Sequence, residues 1–232
     1  MTRGEMEDEV RSEIAPHVSD PAARDPIALR RAVVRGVAEV AERTDCLHKG
    51  RNLSLVANTA RYCPEGLRRV TGVAWKDSAS KLWGNVPVRT AHWMDKNIYN
   101  WRNEPASDNA QALVVTGPNA ITVWPTPSVS RAGGLRIEGY WKPDSGWVYD
   151  SNGVIQAAAR ADECPLPSFA HTAAVERAKW YFAKSLMVKA PAIAPLLPLL
   201  DSQSTRLIGI VESDTANHWQ SMGGAPISLW RY

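Results

Sequence analysis

Apolar residues recur with helical spacing toward the two ends of the chain and with strand-like spacing in the middle. Asp25-Pro26 reads as an N-cap followed by proline at the first helical position, where a missing N–H has no helical partner to lose. Leu29, Val33, Val37, Val40 and Ala41 then fall on one face, which predicts a helix over 26–44. Arg30, Arg31, Arg35, Glu39, Glu42 and Arg43 take the other face, the pattern of a solvated surface. Ahead of it, Met6, Val10 and Ile14 mark a shorter, mostly polar helix over 4–17, interrupted near Pro16, that needs a partner surface to be stable.

From 51 to 143 the chain changes to short runs rich in Val, Ile, Leu, Thr and Trp, cut by Gly, Pro and Asn. This predicts antiparallel strands at 51–57, 67–76, 87–93, 111–116, 120–125 and 134–142. Ala112–Thr116 and Ala120–Trp124 read as a hairpin whose loop, Gly117-Pro118-Asn119, supplies a position with φ > 0. After 150 the helical period returns: Ser168 is a natural N-cap, and Ala174, Val175, Ala178, Tyr181, Phe182 and Leu186 line one broad face. Pro191, Pro195 and Pro198 break the chain before another predicted helix at 196–214, with Leu200, Leu207 and Val211 at period. Asn217–Tyr232 has no helical pattern and holds Gly223-Gly224, Pro226 and three aromatics, so it reads as an extended tail.

The expected class is therefore α+β: a helical bundle with an inserted antiparallel β-rich domain and an extended C-terminal arm. The N-terminal helices of the bundle occupy 1–45, the inserted domain 46–150, the C-terminal helices 151–216 and the arm 217–232.

Composition adds three constraints. The 232 residues are 44% apolar and 22% charged, which excludes a wholly disordered chain. The net charge of +3 is too small for a dedicated nucleic-acid binder, but it is unevenly spread. Residues 1–45 hold 7 basic and 10 acidic side chains, 46–145 hold 13 and 7, and 146–232 hold 7 and 7. Three cysteines, Cys46, Cys63 and Cys164, form no CxxC pair and leave at least one free thiol, as expected of a protein made in a reducing cytoplasm. The acidic start is no secretory signal, and no run reaches the ~18 apolar residues of a membrane span, so no membrane contact is expected.

No GxSxG, Walker loop, GxGxxG, HExxH or paired-cysteine metal spacing occurs. His17, His48, His92, His171 and His218 are scattered, so the residues predict no catalytic site, no metal and no cofactor. The aromatic load is regional: seven of the 10 Trp lie between Trp75 and Trp147. Trp93, Trp101, Trp141 and Trp147 suit either a β-domain interface, with the remaining indoles as core, or a sugar-stacking platform, and packing with partner contact is the favoured reading. Arg89, Lys96, Arg102 and Lys142 beside them give only a weak nucleic-acid platform.

Several segments in order resemble the head-to-tail adaptor (connector, or head-completion) proteins of tailed bacteriophages. They are the helix at 26–44, Asn52–Ala57, YCPEGLRRVTGVAWK at 62–76, the Trp83–Pro87 run, ITVWPTP at 121–127, GLRIEGYWKP at 134–143 and LPSFAHTAAVERAKWYFAKSLM at 166–187. Two departures stand out: 94–110 reads as an inserted loop, and the proline-rich stretch 191–198 interrupts a helical connection. The resemblance implies a structural virion protein at the neck. It would be made in the host cytoplasm and assembled as a homo-oligomeric, twelve-fold ring between portal protein and tail or nozzle protein, with transient, non-specific DNA contact in the channel. It also implies a C-terminal arm that reaches the portal, for which Trp219, Trp230 and Tyr232 are the anchor residues here. Two other classes stay open: a carbohydrate-binding tail or baseplate module built on the Trp-rich block, and a hydrolase using Asp144, Asp150 and nearby histidines.

Overall fold

The computed structural model describes residues 1–18, 25–76, 83–117, 119–143 and 162–221, side chains at 83 and 218–221 excepted. It contains helices and two sheets, an α+β protein, and divides into two compact units: Met1–Leu47 with Pro143–Tyr232, and His48–Lys142.

The first unit is helical. Helix α1 (Arg3–Ile14) opens on a capping box in which the Thr2 side chain accepts from the Glu5 N–H and the Glu5 carboxylate accepts from the Thr2 N–H. A 3₁₀ turn at Ala15–His17 follows it. Helix α2 (Pro26–Thr44) has the predicted bounds, with Asp25 capping the N–H groups of Ile27 and Ala28. Helix α4 (His171–Leu186) is preceded by a 3₁₀ turn, Ser168–Ala170. That turn displaces Ser168 from the expected N-cap: Ala170 stands there, with no side-chain cap bond. A 3₁₀ segment at Pro191–Leu196 leads into helix α5 (Leu197–Ser221), which returns along α4. Leu200, Ser204, Ile208, Val211 and Thr215 are its buried positions. With no proline or glycine between Gly209 and Gly223, the helix runs on past this stripe, and residues 217–221, expected in the extended arm, are helical.

Helix α1 packs on α4, where Lys179 meets Glu9 and Glu13, and the Arg3 N–H at the start of α1 donates to Asp162 O in the segment ahead of α4. Helix α2 lies against both, through Arg30–Glu7 near its start and Glu39–Arg177 further on. Met6, Val10, Val33, Val37, Val40, Ala174, Val175, Ala178 and Phe182 are each fully buried, which is the partner surface that α1 requires. At Gly36 α2 comes close to α4: a Cβ there would stand 2.6 Å from Ala174 O and 2.8 Å from Ala178 N.

The second unit holds strands β1 (His48–Leu55), β2 (Arg61–Tyr62), β3 (Leu67–Lys76), β4 (Trp83–Asn85) and β5 (Val88–Thr90). Helix α3 (Ala91–Asn97) and strands β6 (Ala112–Val115), β7 (Ile121–Trp124) and β8 (Arg131–Trp141) complete it. They form two four-stranded sheets, ordered β1-β8-β3-β4 and β2-β7-β6-β5. The β6–β7 hairpin pairs as predicted, Leu113 opposite Val123, but among the described residues the positive-φ glycines are Gly66 and Gly133, not Gly117. The block is also not wholly antiparallel, since β5 pairs with β6 in parallel. That pairing requires a crossover, and α3 with a 3₁₀ turn at Trp101–Asn103 supplies it. The expected strand at 87–93 therefore ends at Thr90, whose hydroxyl caps α3 through the Trp93 N–H, and the expected inserted loop 94–110 is partly helical.

Candidate interaction surfaces

The tryptophans of the second unit are structural staples more than a display. Trp101 is 5% exposed, its Nε1–H donates to Asp95 at 2.8 Å, and its carbonyl accepts from Trp124 Nε1 at 2.9 Å. Arg102 lies 4.4 Å over the Trp101 ring and forks onto the same Asp95 carboxylate. Those bonds, from Arg102 first and Trp101 second, hold the Asp95 carboxyl below its ordinary range. Met94, Ala112 and Val114 form a buried cluster with Trp101, and Trp124 packs against it.

Trp141 is 1% exposed, donates to Lys49 O at 2.8 Å and has Arg51 4.5 Å over its ring. Trp75, also buried, has Arg131 at 5.2 Å. Trp93 alone of the four singled out in the sequence stands on the surface in the described residues, with Arg89 4.6 Å from its ring centroid. Trp147 lies outside the described residues. Sugar or base stacking needs a free aromatic face. Here burial removes Trp101 and Trp141, and guanidinium groups occupy the indole faces.

In the helical unit, ionic networks tie the other helices to α4. Arg177 bridges Glu39 of α2 at 2.8 Å and Asp201 of α5 at 2.6 Å, and Tyr181 O–H donates to Glu39 at 2.7 Å. Burial alone would raise the Glu39 carboxyl, but the bonds from Arg177 and Tyr181 outweigh it and hold it below its ordinary value. Lys179, 1% exposed, sits between Glu13 and Glu176, each at 2.6 Å, with Glu9 at 3.9 Å. Burial would lower its pKa, and the paired carboxylates raise it instead. The helical periodicity showed which faces are apolar; it carried no signal that Lys179, on an Ala-rich helix, is buried.

No group of three or more His, Cys, Asp or Glu among the described residues is placed to hold a metal ion. His48 bonds Thr71 at 2.7 Å and His171 meets Leu166 O at 2.9 Å, so each has a local structural partner. All three cysteines are free, and burial pushes the Cys164 thiol up to about 11, away from reactivity. Asp144 and Asp150 lie outside the described residues, as do Trp230 and Tyr232. The backbone of Trp219 is in α5.

What the described surface does present is apolar or aromatic side chains with open faces. In the second unit these are Tyr99, 96% exposed just after α3, with Trp93, Val56 and Val129. In the helical unit they are Ile27, Phe169, Val188, Leu199 and Ile210.

A family model described as SU10 adaptor protein matches residues 1–208, which takes in α1 to α4, both sheets and about half of α5. The chain belongs to this family and is a phage head-to-tail adaptor protein, as its segment order had implied. No curated protein matches the chain. No helix among the described residues is long and apolar enough to cross a membrane.

Proposed function

We propose that this protein is a structural component of the virion neck that assembles into a ring, docks on the portal and links capsid to tail while leaving a channel for DNA. The observation that carries this reading is the family match over most of the chain. A helical bundle with an inserted β-rich domain suits such a ring, because a closed ring needs two different surfaces per copy, and two compact units can supply them. A structural adaptor family fits a non-catalytic role, with partners on the portal and tail sides, and a twelve-fold ring is the expected stoichiometry.

The portal contact is assigned to the end of the chain, with Trp219, Trp230 and Tyr232 as anchors. The family match stops at residue 208, so the arm is where this chain would carry recognition of its own portal. Because 217–221 are helical, the deletion that tests this removes 222–232. The truncated protein should fold, with unchanged thermal unfolding, and should no longer join portal-bearing particles. Unchanged incorporation overturns the assignment of Trp230 and Tyr232, and Trp219→Ala in the truncated protein tests the third anchor. Trp93 remains as a β-domain contact, and DNA contact in the channel is expected to be weak and salt-sensitive.

A further inference from the structure

The second unit carries a groove of about 270 Å³ whose walls include Arg61, Trp101, Arg102, Thr122, Trp124 and Thr126. Its two cations differ. Arg102 is already forked onto Asp95, whereas no ion pair or hydrogen bond holds the exposed Arg61 side chain among the described residues. Arg61 stands opposite Thr122 in the β2–β7 register, so the two side chains leave the same face of the sheet and both line the groove. The groove therefore offers one carboxylate a planar, forked donor with a hydroxyl donor on the same face.

We infer that this groove receives acidic side chains of helix α1 from a second copy of the chain. The charge distribution favours that occupant. The unit His48–Lys142 holds 13 Lys and Arg against 6 Asp and Glu, and the helical unit holds 14 against 18. On α1, Glu5 and Asp8 are exposed and share one face at three-residue spacing, flanked by Glu9 and Glu13 at 40% and 55% exposure. Glu5 closes the capping box, Asp8 pairs with Arg11 at 3.4 Å, and Glu9 and Glu13 lie near Lys179. A second copy's guanidinium would add to these contacts at the exposed carboxylate oxygens. A nucleic-acid rail would need several uncompensated cations, and this groove has one. The contact is heterologous, groove to helix, and so rests on the ring reading above.

Charge exchange in the full-length protein tests it, with assembly followed by sedimentation velocity at low and high salt. Arg61→Asp and Asp8→Lys should each weaken assembly about ten-fold at low salt, and the double variant should recover most of the loss. Arg61 is exposed, so its variants should leave thermal unfolding unchanged, and Arg61→Gln provides a milder variant with the same expected direction. Asp8→Lys also gives up the exposed Arg11 pair, a small loss that thermal unfolding of the single variant measures separately. Wild-type protein that assembles while Arg61→Asp and Arg61→Gln assemble equally well overturns the inference alone, as does a double variant no better than the singles combined. Loss of short-duplex DNA retention with normal assembly also overturns it, in favour of phosphate. Wild-type protein that stays monomeric at every concentration overturns the ring reading itself.

Discussion

The same substitution, glycine to alanine, should have opposite effects at two helical positions. At Gly36 the added Cβ would meet Ala174 O at 2.6 Å and Ala178 N at 2.8 Å, with Ala178 Cβ at 3.1 Å. Two of these are backbone atoms of α4, which cannot rotate away. Ordinary contact lies near ~3.5 Å, so the helices must part by roughly 0.7–0.9 Å, enough to forfeit a quarter to a half of each dispersion contact along the crossing. Overpacking of this kind costs about 1–3 kcal/mol, against a helix-propensity gain of about 1 kcal/mol. Gly36→Ala should therefore destabilise by up to about 2 kcal/mol. Gly209, on the exposed face of α5, has nothing within 4 Å of its Cβ direction, so Gly209→Ala should keep the propensity gain and stabilise by about 0.5–1 kcal/mol. Urea titration followed by far-ultraviolet circular dichroism reads both. If Gly36→Ala stabilises as much as Gly209→Ala, the α2–α4 crossing is not close and the packing account of this bundle is wrong.

Lys179→Ala would leave the largely buried Glu176 carboxylate without its partner, and should cost about 3 kcal/mol by urea titration; a change below about 0.5 kcal/mol would show that the α1–α4 pairing contributes little. Glu39 has a lowered pKa when folded, so its stabilisation is present above the ordinary value of 4.5 and is lost as pH falls through the folded value. Glu39→Gln should then lower stability at neutral pH and flatten its acid limb, and a variant with an unchanged acid limb would contradict the Arg177–Tyr181 assignment. Trp141→Ala should cost about 3–5 kcal/mol in chemical denaturation, while Trp93→Ala should stay within about 0.5 kcal/mol and act only on assembly; equal effects on stability would refute the core-versus-surface division.

Much of the architecture was legible because its causes are local. Asp25-Pro26 set the start of α2 through cap geometry, and alternation with turn residues located β3, β6, β7 and β8. Where reading failed, a non-local pairing had intervened. The run at 87–93 has strand composition throughout, yet it turns into α3 after Thr90 because β5 pairs in parallel with β6 and the chain must cross over. Residues 217–221 look like tail because their neighbours are Gly and Pro, yet they continue a helix whose stripe from Leu200 to Thr215 is buried in contact with α4 and α2.

The tryptophans show the same division. The sequence alone determined the class of protein, the helical ends around a β-rich centre and the concentration of indoles in that centre. Only the tertiary structure decided what those indoles do, because the arginines over their faces, and the carbonyls and carboxylate that take their N–H groups, come together through the fold. Lys49 and Trp141 are 92 residues apart in the chain and joined by one hydrogen bond. Composition specifies how much aromatic surface there is; whether a given face is spent on packing or left for a partner depends on contacts that sequence spacing does not encode.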